Sequence, residues 1–409
     1  MLSSPMPTVT ASLAPRGLLA IFGATFFELV GYFMLTPWLV LRLTAQGTPT
    51  ALTGLFAASA WVGILLMTPF ASALTRALGR RRALWLSGTV PVLAGLGYAL
   101  PLPADTALPL WFALKLLAGM ASGLRWVLAE ALVAEFAPAH LRGRAVGLFE
   151  TLVGATFVIG PSLLAAVGPA SVTALALAVG LMATGLLWLL AIPPLPTPAD
   201  TASAAVGWRG VRQALRAHPV IIAAGFCGGF FESGLTSILP LYGLALGLGT
   251  AAAALLVSAS GLGSALLMLP AGVLADRLGR RDSQCGSAGG ARLRLMRASA
   301  TVTLLASLAL PWVANMPWLA WPVAFLWGGA GGCLYTLAMI DIGARERGVT
   351  LVNSTAVLVM AYTLGGVLAP SLAGAALQWA PRVGFPALLL GVAALCWVAL
   401  ARTRTAQRY

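Results

Sequence analysis

Twelve long apolar segments, separated by short polar breaks, make up most of this chain. They lie at 17–42, 51–75, 83–102, 108–136, 144–167, 170–192, 218–245, 251–275, 298–314, 317–341, 349–378 and 384–402. Only 9% of the residues are charged, whereas a soluble domain carries about 25%. Because roughly 20 apolar residues cross a bilayer as a helix, and backbone in lipid must satisfy its own hydrogen bonds, we predict an all-α membrane protein with twelve transmembrane helices.

One long polar break divides these segments into two groups of six. It spans 193–217, with prolines near its start and arginines near its end. Clusters of this kind are typical of linkers between structured elements. We therefore predict an N-terminal six-helix bundle over 1–192, a cytoplasmic linker over 193–217 and a C-terminal six-helix bundle over 218–409.

Three short motifs of the first half return in the second half at nearly constant spacing. Phe26-Phe27-Glu28 recurs as Phe230-Phe231-Glu232, 204 residues later. The other pairs are Leu78–Arg81 with Leu278–Arg281, 200 residues apart, and Pro161–Leu163 with Pro370–Leu372, 209 residues apart. Repetition at a fixed offset indicates a duplicated architecture, so the two bundles are predicted to be pseudo-symmetric.

The distribution of positive charge predicts the orientation of the chain. The net charge is +14, but the arginines lie at the ends of apolar segments, so we expect no nucleic-acid partner. With the N-terminus inside, 21 of the 25 basic residues fall in inner regions, and the outer loops hold only Arg42 and Arg382. This bias predicts a multi-pass protein of a bacterial inner membrane with both termini cytoplasmic. The first apolar segment is too long for a cleaved signal peptide and is interpreted as a span.

Signatures of catalytic, cofactor and metal sites are missing from the sequence. The four cysteines show no CxxC spacing, which disfavours a disulfide framework or a zinc site. The glycine-rich stretch Gly328–Gly332 lies inside an apolar segment and is not followed by a phosphate-loop lysine. It is typical of close helix packing. We expect no enzyme activity, no cofactor and no bound metal.

The connection between the eighth and ninth segments carries the most specific motif. Its sequence, GVLADRLGRR over Gly272–Arg281, is similar to G-x-L-A-D-R-x-G-R-K, the signature loop of the major facilitator superfamily. The first-half copy is degraded, with Arg76 at the aspartate position and only Gly79, Arg80 and Arg81 retained. The resemblance extends over essentially the whole chain. It implies two six-helix bundles around a central cavity and alternating access about a midplane site.

Two further motifs resemble parts of the same family. Lys115 and Gly119 match the R-x-x-x-G motif of the fourth span, with Lys in place of Arg. In proton-coupled members that basic residue is linked to proton handling. Gly160-Pro161 resembles part of the antiporter motif of the fifth span. The resemblance thus implies a secondary transporter and leaves the substrate open.

Four ionisable residues lie deep within apolar segments. Glu28 and Glu232 lie about halfway along the first and seventh segments, and Lys115 and Arg125 lie in the fourth. Charges at membrane depth are costly and usually mark pathways, so we predict that Glu28, Glu232 and Lys115 act in proton coupling. Either basic residue could neutralise an acid or hold an anionic substrate. The alternatives are a permanently protonated acid bonded to a neighbouring helix and a lysine that snorkels to the headgroups.

Further charges lie at the inner ends of the spans. Glu135 and Asp341 end the fourth and tenth segments, and an Arg-Gly pair follows each. We predict salt bridges here that hold one state closed, so that breaking them shifts populations rather than abolishing transport. The predicted gate and signature-loop residues are Arg80, Arg81, Glu130, Glu135, Arg142, Gly272, Asp276, Arg277, Gly279, Arg280, Arg281 and Asp341.

Aromatic residues supply a candidate wall for an apolar ligand. The predicted substrate cavity comprises Phe27, Lys115, Arg125, Trp126, Phe231, Tyr242 and Tyr335. We predict a monomeric proton antiporter that exports lipophilic or amphipathic small molecules across the lipid bilayer. Uptake of a small organic anion through Lys115 and Arg125 is the second hypothesis. A non-transporting membrane sensor or assembly factor is the third.

Overall fold

All regular structure in the described part of the chain is helical, with no β-strand. The computed structural model describes residues 14–48, 50–101, 104–168, 172–195, 205–284, 290–380 and 382–402. Residues 196–204 of the predicted linker lie outside these ranges. The α-helices are α1 (Ala14–Ala45), α2 (Thr50–Met67), α3 (Ala71–Leu78), α4 (Arg80–Gly97), α5 (Ala104–Phe136), α6 (Arg142–Val167), α7 (Val172–Trp188), α8 (Gly207–Ala217), α9 (Pro219–Gly228), α10 (Leu239–Ala245), α11 (Thr250–Gln284), α12 (Gly290–Leu308), α13 (Leu310–Val313), α14 (Ala320–Arg345), α15 (Gly348–Trp379) and α16 (Gly384–Arg402).

Eleven of the twelve predicted segments coincide with described helices that are long and apolar enough to cross a membrane. The remaining one, 83–102, is α4, an 18-residue helix that begins with Arg80, Arg81 and Arg82. These charges lower the hydropathy of a helix that is barely long enough to span the hydrocarbon core. The all-α membrane class predicted from the apolar segments is confirmed.

The predicted seventh segment, 218–245, is not one continuous helix. Helix α9 ends at Gly228, a π-helical turn covers Gly229–Ser233, a 3-10 turn covers Gly234–Ser237, and α10 begins at Leu239. The first residue of the π turn approaches the α15 backbone so closely that a Cβ there would clash with a carbonyl oxygen. Such turns are frequent at functional sites. The matching first-half motif lies inside the uninterrupted helix α1.

The described helices form two compact units, and each takes residues from both halves of the sequence. Unit 1 comprises Met1–Pro138, Leu152–Arg212 and Glu346–Ala356, and unit 2 comprises Ala139–Thr151, Gln213–Arg345 and Val357–Tyr409. The change of unit after Arg212 falls inside the predicted linker. Two helices cross the predicted division into halves. The first turns of α6 belong to unit 2, and the first turns of α15 belong to unit 1.

Glycines account for the place of the first turns of α6 in unit 2. A Cβ on Gly143 would clash with the carbonyl oxygen of Gly272 in α11, and one on Gly147 would clash with that of Met268. Gly328–Gly332 of α14 likewise lies against α11 and the π turn. Small residues at such contacts let helix backbones approach closely. The packing role predicted for the glycine-rich stretch agrees with these contacts.

Candidate functional site

A buried ion pair joins α1 to α5 in unit 1. Arg125 Nε lies 2.7 Å from Glu28 Oε1, and the two residues are 6% and 3% exposed. Helix α7 closes on the pair, since a Cβ on Gly185 would clash with the backbone at Glu28. Each charge compensates a partner that burial would otherwise leave unpaired. The sequence left open whether Lys115 or Arg125 neutralises Glu28, and in the structure Arg125 is the partner.

Lys115 makes a separate contact between the same two helices. Its Nζ donates a hydrogen bond of 2.8 Å to Thr36 Oγ1 and lies 4.7 Å from the centroid of the Tyr32 ring. An ammonium over an aromatic face is stabilised by cation–π attraction. The residue is only 2% exposed, so its side chain is enclosed by helices. A lysine that snorkels would extend its ammonium to the headgroups, so this burial argues against that alternative.

Glu232 lies in the π turn of unit 2 and has neutral partners. Ser264 Oγ donates a hydrogen bond of 2.5 Å to Oε1, and the Tyr362 hydroxyl donates one of 3.3 Å to Oε2. Within the residues that the structure describes, no Lys, Arg or His side chain pairs with this carboxyl. Glu28 and Glu232 share a sequence context but differ in whether a cation balances them. Glu232 is also partly accessible, whereas Glu28 is enclosed.

The signature-loop aspartate caps a helix N-terminus in unit 2. Asp276 Oδ1 accepts a hydrogen bond of 2.7 Å from Gly143 N, and Oδ2 accepts one of 2.9 Å from Arg144 N, in the first turn of α6. A carboxylate at this position satisfies unpaired N–H groups and interacts favourably with the helix dipole. Together with the close contact of Gly272, this cap fixes α11 to the start of α6. The other predicted residues of the motif are exposed or half-buried: Arg277, Gly279, Arg280 and Arg281.

In unit 1 the capping carboxylate comes from outside the degraded loop. Glu135 Oε1, at the end of α5, accepts a hydrogen bond of 3.3 Å from Gly348 N at the start of α15. The same oxygen lies 2.7 Å from Arg80 Nη2. The first-half loop has Arg76 where the signature has its aspartate, so that loop offers no acid for this task. The sequence placed Glu135 in the gate but did not predict a helix cap.

Asp341, which was predicted to be equivalent to Glu135, lies in different surroundings. It pairs with Arg345 one turn away at 3.0 Å and with Arg292 of α12 at 3.5 Å. These contacts stay within unit 2 and are made by side chains rather than by the first turn of a helix. The two acids therefore stabilise different parts of the fold.

Three other predicted gate residues are distributed over both units. Glu130 is buried in α5 and accepts a hydrogen bond from the Trp126 indole N–H on the same helix. Arg142 is buried at the start of α6, whereas Arg81 is exposed at the start of α4. The i,i+4 spacing of Trp126 and Glu130 on a helix explains their contact. Their part in gating stays a prediction.

The predicted cavity aromatics do not form a single wall within either unit. Their ring contacts, as centroid distances, are Phe27 with Trp188 at 6.4 Å, Phe231 with Trp327 at 6.0 Å, Tyr242 with Phe385 at 4.5 Å and Tyr335 with Tyr362 at 4.9 Å. Phe27 and Trp126 are half-buried in unit 1, whereas Phe231, Tyr242 and Tyr335 are buried in unit 2. Tyr335 reaches the Glu232 site through Tyr362. Contact with substrate stays a prediction for all of them.

The sequence did not predict the uncharged partners of the mid-membrane charges. Thr36, Ser264 and Tyr362 are uncharged hydroxyl residues without a motif of their own. Each lies on a different helix from the charge that it contacts. A hydroxyl within an apolar segment was the one available signal, and it is unspecific because eleven of the twelve segments contain at least one Ser, Thr or Tyr.

Comparison with known proteins identifies the family. The model of the Major Facilitator Superfamily matches residues 21–356, and the chain therefore belongs to this family. It is 27% identical over 345 residues to the MFS-type transporter YcaD of Salmonella typhimurium, covering 83% of both chains. It is also 27% identical over 252 residues to the MFS-type transporter YfkF of Bacillus subtilis. That second match spans 61% of this chain and 63% of the relative's length.

Solved transporter structures share the fold. The human organic anion transporter MFSD10 (TETRAN) has a TM-score of 0.76 at 17% identity, covering 95% of this chain and 99% of that one. The E. coli fucose:proton symporter FucP has a TM-score of 0.72 at 15% identity, covering 96% and 100%. At such identities the likeness shows the fold alone. The predicted twelve-helix fold of this family is confirmed, and the protein is a multi-pass membrane transporter rather than an enzyme.

Proposed function

We propose that the protein is a proton-coupled secondary transporter that exports lipophilic or amphipathic small molecules, with Glu232 as its proton carrier. The contrast between its two mid-membrane acids carries this proposal. Glu28 is balanced by Arg125, whereas Glu232 has the hydroxyls of Ser264 and Tyr362. A carboxyl in an apolar interior without a countercharge takes its neutral, protonated form. Its ionisation then requires a change of surroundings, and alternating access supplies one.

The partners of Glu232 suit a group that gains and loses a proton. A hydroxyl can donate to a carboxylate and can also accept from a protonated carboxyl. Ser264 and Tyr362 can therefore remain bonded to Glu232 in both protonation states. The partial accessibility of Glu232 gives a proton a way to reach it. The π turn adds a backbone register that can change locally without unfolding the helix.

Glu28 and Arg125 take a different role in this proposal. Their pair is enclosed by α1, α5 and α7 and carries no net charge. It stays ionised through the cycle and holds α1 against α5. The sequence predicted that both acids carry protons, and the proposal keeps only Glu232 in that role. Of the two acids, Glu232 is the one without a cation partner among the described residues.

Export is favoured over uptake by two features. Gly160-Pro161 lies within α6 and resembles part of an antiporter motif. The Glu232 site is lined by aromatic rather than basic neighbours, as in the contact of Tyr362 with Tyr335. Proton entry through Glu232 would then drive an apolar or amphipathic compound outward from the inner membrane of a bacterial cell.

Uptake of a small organic anion is the second candidate, and Lys115 favours it. Its ammonium has three donors, and the described residues show one hydrogen bond, to Thr36. Arg125 is engaged by Glu28, so Lys115 alone would receive the carboxylate. MFSD10, which shares the fold, is described as an organic anion transporter. Family membership leaves no reason to retain a non-transporting sensor.

A ligand screen by thermal stability tests the proposal. Purified protein is compared with Glu232→Gln and with the neutral pair Glu28→Gln/Arg125→Gln, at about pH 6 and about pH 8. We expect lipophilic compounds to stabilise the wild type by amounts that differ between the two pH values. Glu232→Gln should remove that difference, and the double variant should keep it.

Two other outcomes are informative. A pH difference that survives in Glu232→Gln would show that this carboxyl does not carry the coupled proton. Stabilisation by organic anions alone, lost in Lys115→Gln, would establish the uptake alternative.

A further inference from the structure

Helix α8 has three chemically distinct sides. Its protein side is buried and consists of Gly207, Gly210, Val211 and Ala214. At about 100° per residue, Trp208 and Leu215 fall together along one edge of this buried side. The three basic residues Arg209, Arg212 and Arg216 fall within about 60° of one another on the opposite side. All three arginines are exposed.

The first half of α8, which belongs to unit 1, is anchored to other helices of that unit. Gly207 N donates a hydrogen bond of 2.8 Å to Ser72 Oγ of α3. Asn353 Nδ2 of α15 donates one of 2.8 Å to the carbonyl oxygen of Ala205, just before the helix. Gly210 lies against the same asparagine, and a Cβ there would clash with its amide. The helix is therefore held in a fixed rotation, with its other two sides turned outward.

In the described part of the chain, the outward sides of α8 are largely uncovered, with Leu215 half-buried. Trp208 is 54% exposed, which is costly for an indole in water. The helix contains no acidic residue, and within the described residues no carboxylate pairs with its arginines. An aromatic edge beside a basic stripe is the pattern of a helix that lies in a membrane interface.

We propose that α8 binds anionic phospholipids of the cytoplasmic leaflet. Trp208 and Leu215 enter the boundary between headgroups and acyl chains. Arg209, Arg212 and Arg216 contact the phosphates, since guanidinium groups match phosphate geometry. Because α8 is hydrogen-bonded to α3 and packs against Asn353 of α15, lipid on its outer sides stabilises these contacts. The inference depends on the membrane assignment and not on proton coupling.

Melting temperatures in nanodiscs of stated lipid composition test this inference. The wild type is compared in phosphatidylcholine alone and in phosphatidylcholine mixed with phosphatidylglycerol. We expect phosphatidylglycerol to raise the melting temperature, because a ligand of the folded state stabilises it by mass action. R209Q/R212Q/R216Q should lose most of that rise, and R209K/R212K/R216K should keep most of it.

A matched control removes the same charge elsewhere. R16Q/R382Q/R402Q changes three exposed arginines that do not belong to α8, and it should keep the full rise. Equal melting temperatures of all variants in pure phosphatidylcholine show that each is folded. A full rise in the α8 glutamine variant, or an equal loss in the control, would overturn the proposal. A rise produced by a soluble acidic peptide but not by phosphatidylglycerol would make α8 a protein-docking surface instead.

Discussion

At the scale of single residues, Glu28 and Glu232 follow the same Phe-Phe pair yet have different partners. Ser264 lies 32 residues from Glu232 in the chain, and Tyr362 lies 130 residues away. The free-energy cost of an acid in an apolar segment is a local property, so the sequence was sufficient to predict that both residues matter. Partner choice depends on how neighbouring helices are rotated and packed. No local pattern carries that information.

The ion pair of α1 and α5 gives the first prediction. Arg125→Gln is expected to destabilise the protein by about 3–5 kcal/mol, because Glu28 is left buried without a countercharge. The double variant Glu28→Gln/Arg125→Gln should lose less, since neither charge remains. Unfolding in detergent measures the free energies of Arg125→Gln, Glu28→Gln and the double variant. Costs of the two single changes that simply add in the double variant would show that the residues are not coupled.

Lys115 gives a second prediction that separates the two candidate functions. Lys115→Gln should lower the free energy of unfolding by about 1 kcal/mol, because a hydrogen bond to Thr36 and a cation–π contact are lost. Under the export proposal, transport of an uncharged compound should stay within about twofold of wild type. Lys115→Arg, which keeps the charge, is the control. Loss of all transport in the glutamine variant alone would favour anion uptake.

At the scale of helices, hydropathy predicts where a span lies but not its hydrogen-bond register. The seventh segment is apolar throughout, yet its backbone changes from α to π to 3-10 geometry between Gly229 and Ser237. Glycine removes the Cβ that would otherwise oppose close approach of α15. A glycine inside an apolar segment is common, so its sequence position alone did not predict the π turn.

The close approach of the π turn to α15 gives a third prediction. Gly229→Ala places a Cβ against the carbonyl oxygen of Tyr362 and should cost about 1–3 kcal/mol of stability. Gly366→Ala is the matched control, because its Cβ would meet Ser233 at an ordinary 3.6 Å. Melting temperatures in one detergent compare the two. Equal losses of stability would mean that the π turn and α15 are not in tight contact at Gly229.

The two helix caps give a fourth prediction. Glu135→Gln should weaken the first turn of α15, and Asp276→Asn the first turn of α6, each by about 0.5–2 kcal/mol. Hydrogen exchange of the backbone amides should then be roughly 2- to 30-fold faster in the affected turn. Each variant is the control for the other. Asp341→Asn should change neither turn, and faster exchange at α15 in that variant would refute the distinction between Glu135 and Asp341.

At the scale of the whole molecule, composition and motif spacing predicted the class, the twelve-span fold and the internal repeat. They did not predict how the halves have diverged. In unit 2 the signature-loop aspartate caps α6, whereas in unit 1 Glu135 of α5 caps α15. One mid-membrane acid is paired with a cation, and the other is bonded to hydroxyls. The repeated motifs are kept in both halves, but the backbone at Glu232 and the partners of the side chains differ between the halves.

Under the proposed function, this asymmetry would confine proton coupling to one half of the molecule. Proton coupling through Glu232 alone implies that one carboxyl links the proton gradient to the export of cargo. The paired charges of Glu28 and Arg125 then serve the stability of α1 and α5. Loss of Glu232 should uncouple transport from the gradient and still permit exchange of substrate, because the helices that move are unchanged.

Proton movement in proteoliposomes tests whether Glu232 carries the coupled proton. With a substrate taken from the ligand screen and a pH-sensitive dye inside the vesicles, the wild type should move protons when substrate is added. Glu232→Gln should abolish that proton movement while substrate still exchanges across the membrane. Substrate-driven proton movement that persists in Glu232→Gln, or that is lost instead in Glu28→Gln/Arg125→Gln, would show that Glu232 is not the proton carrier.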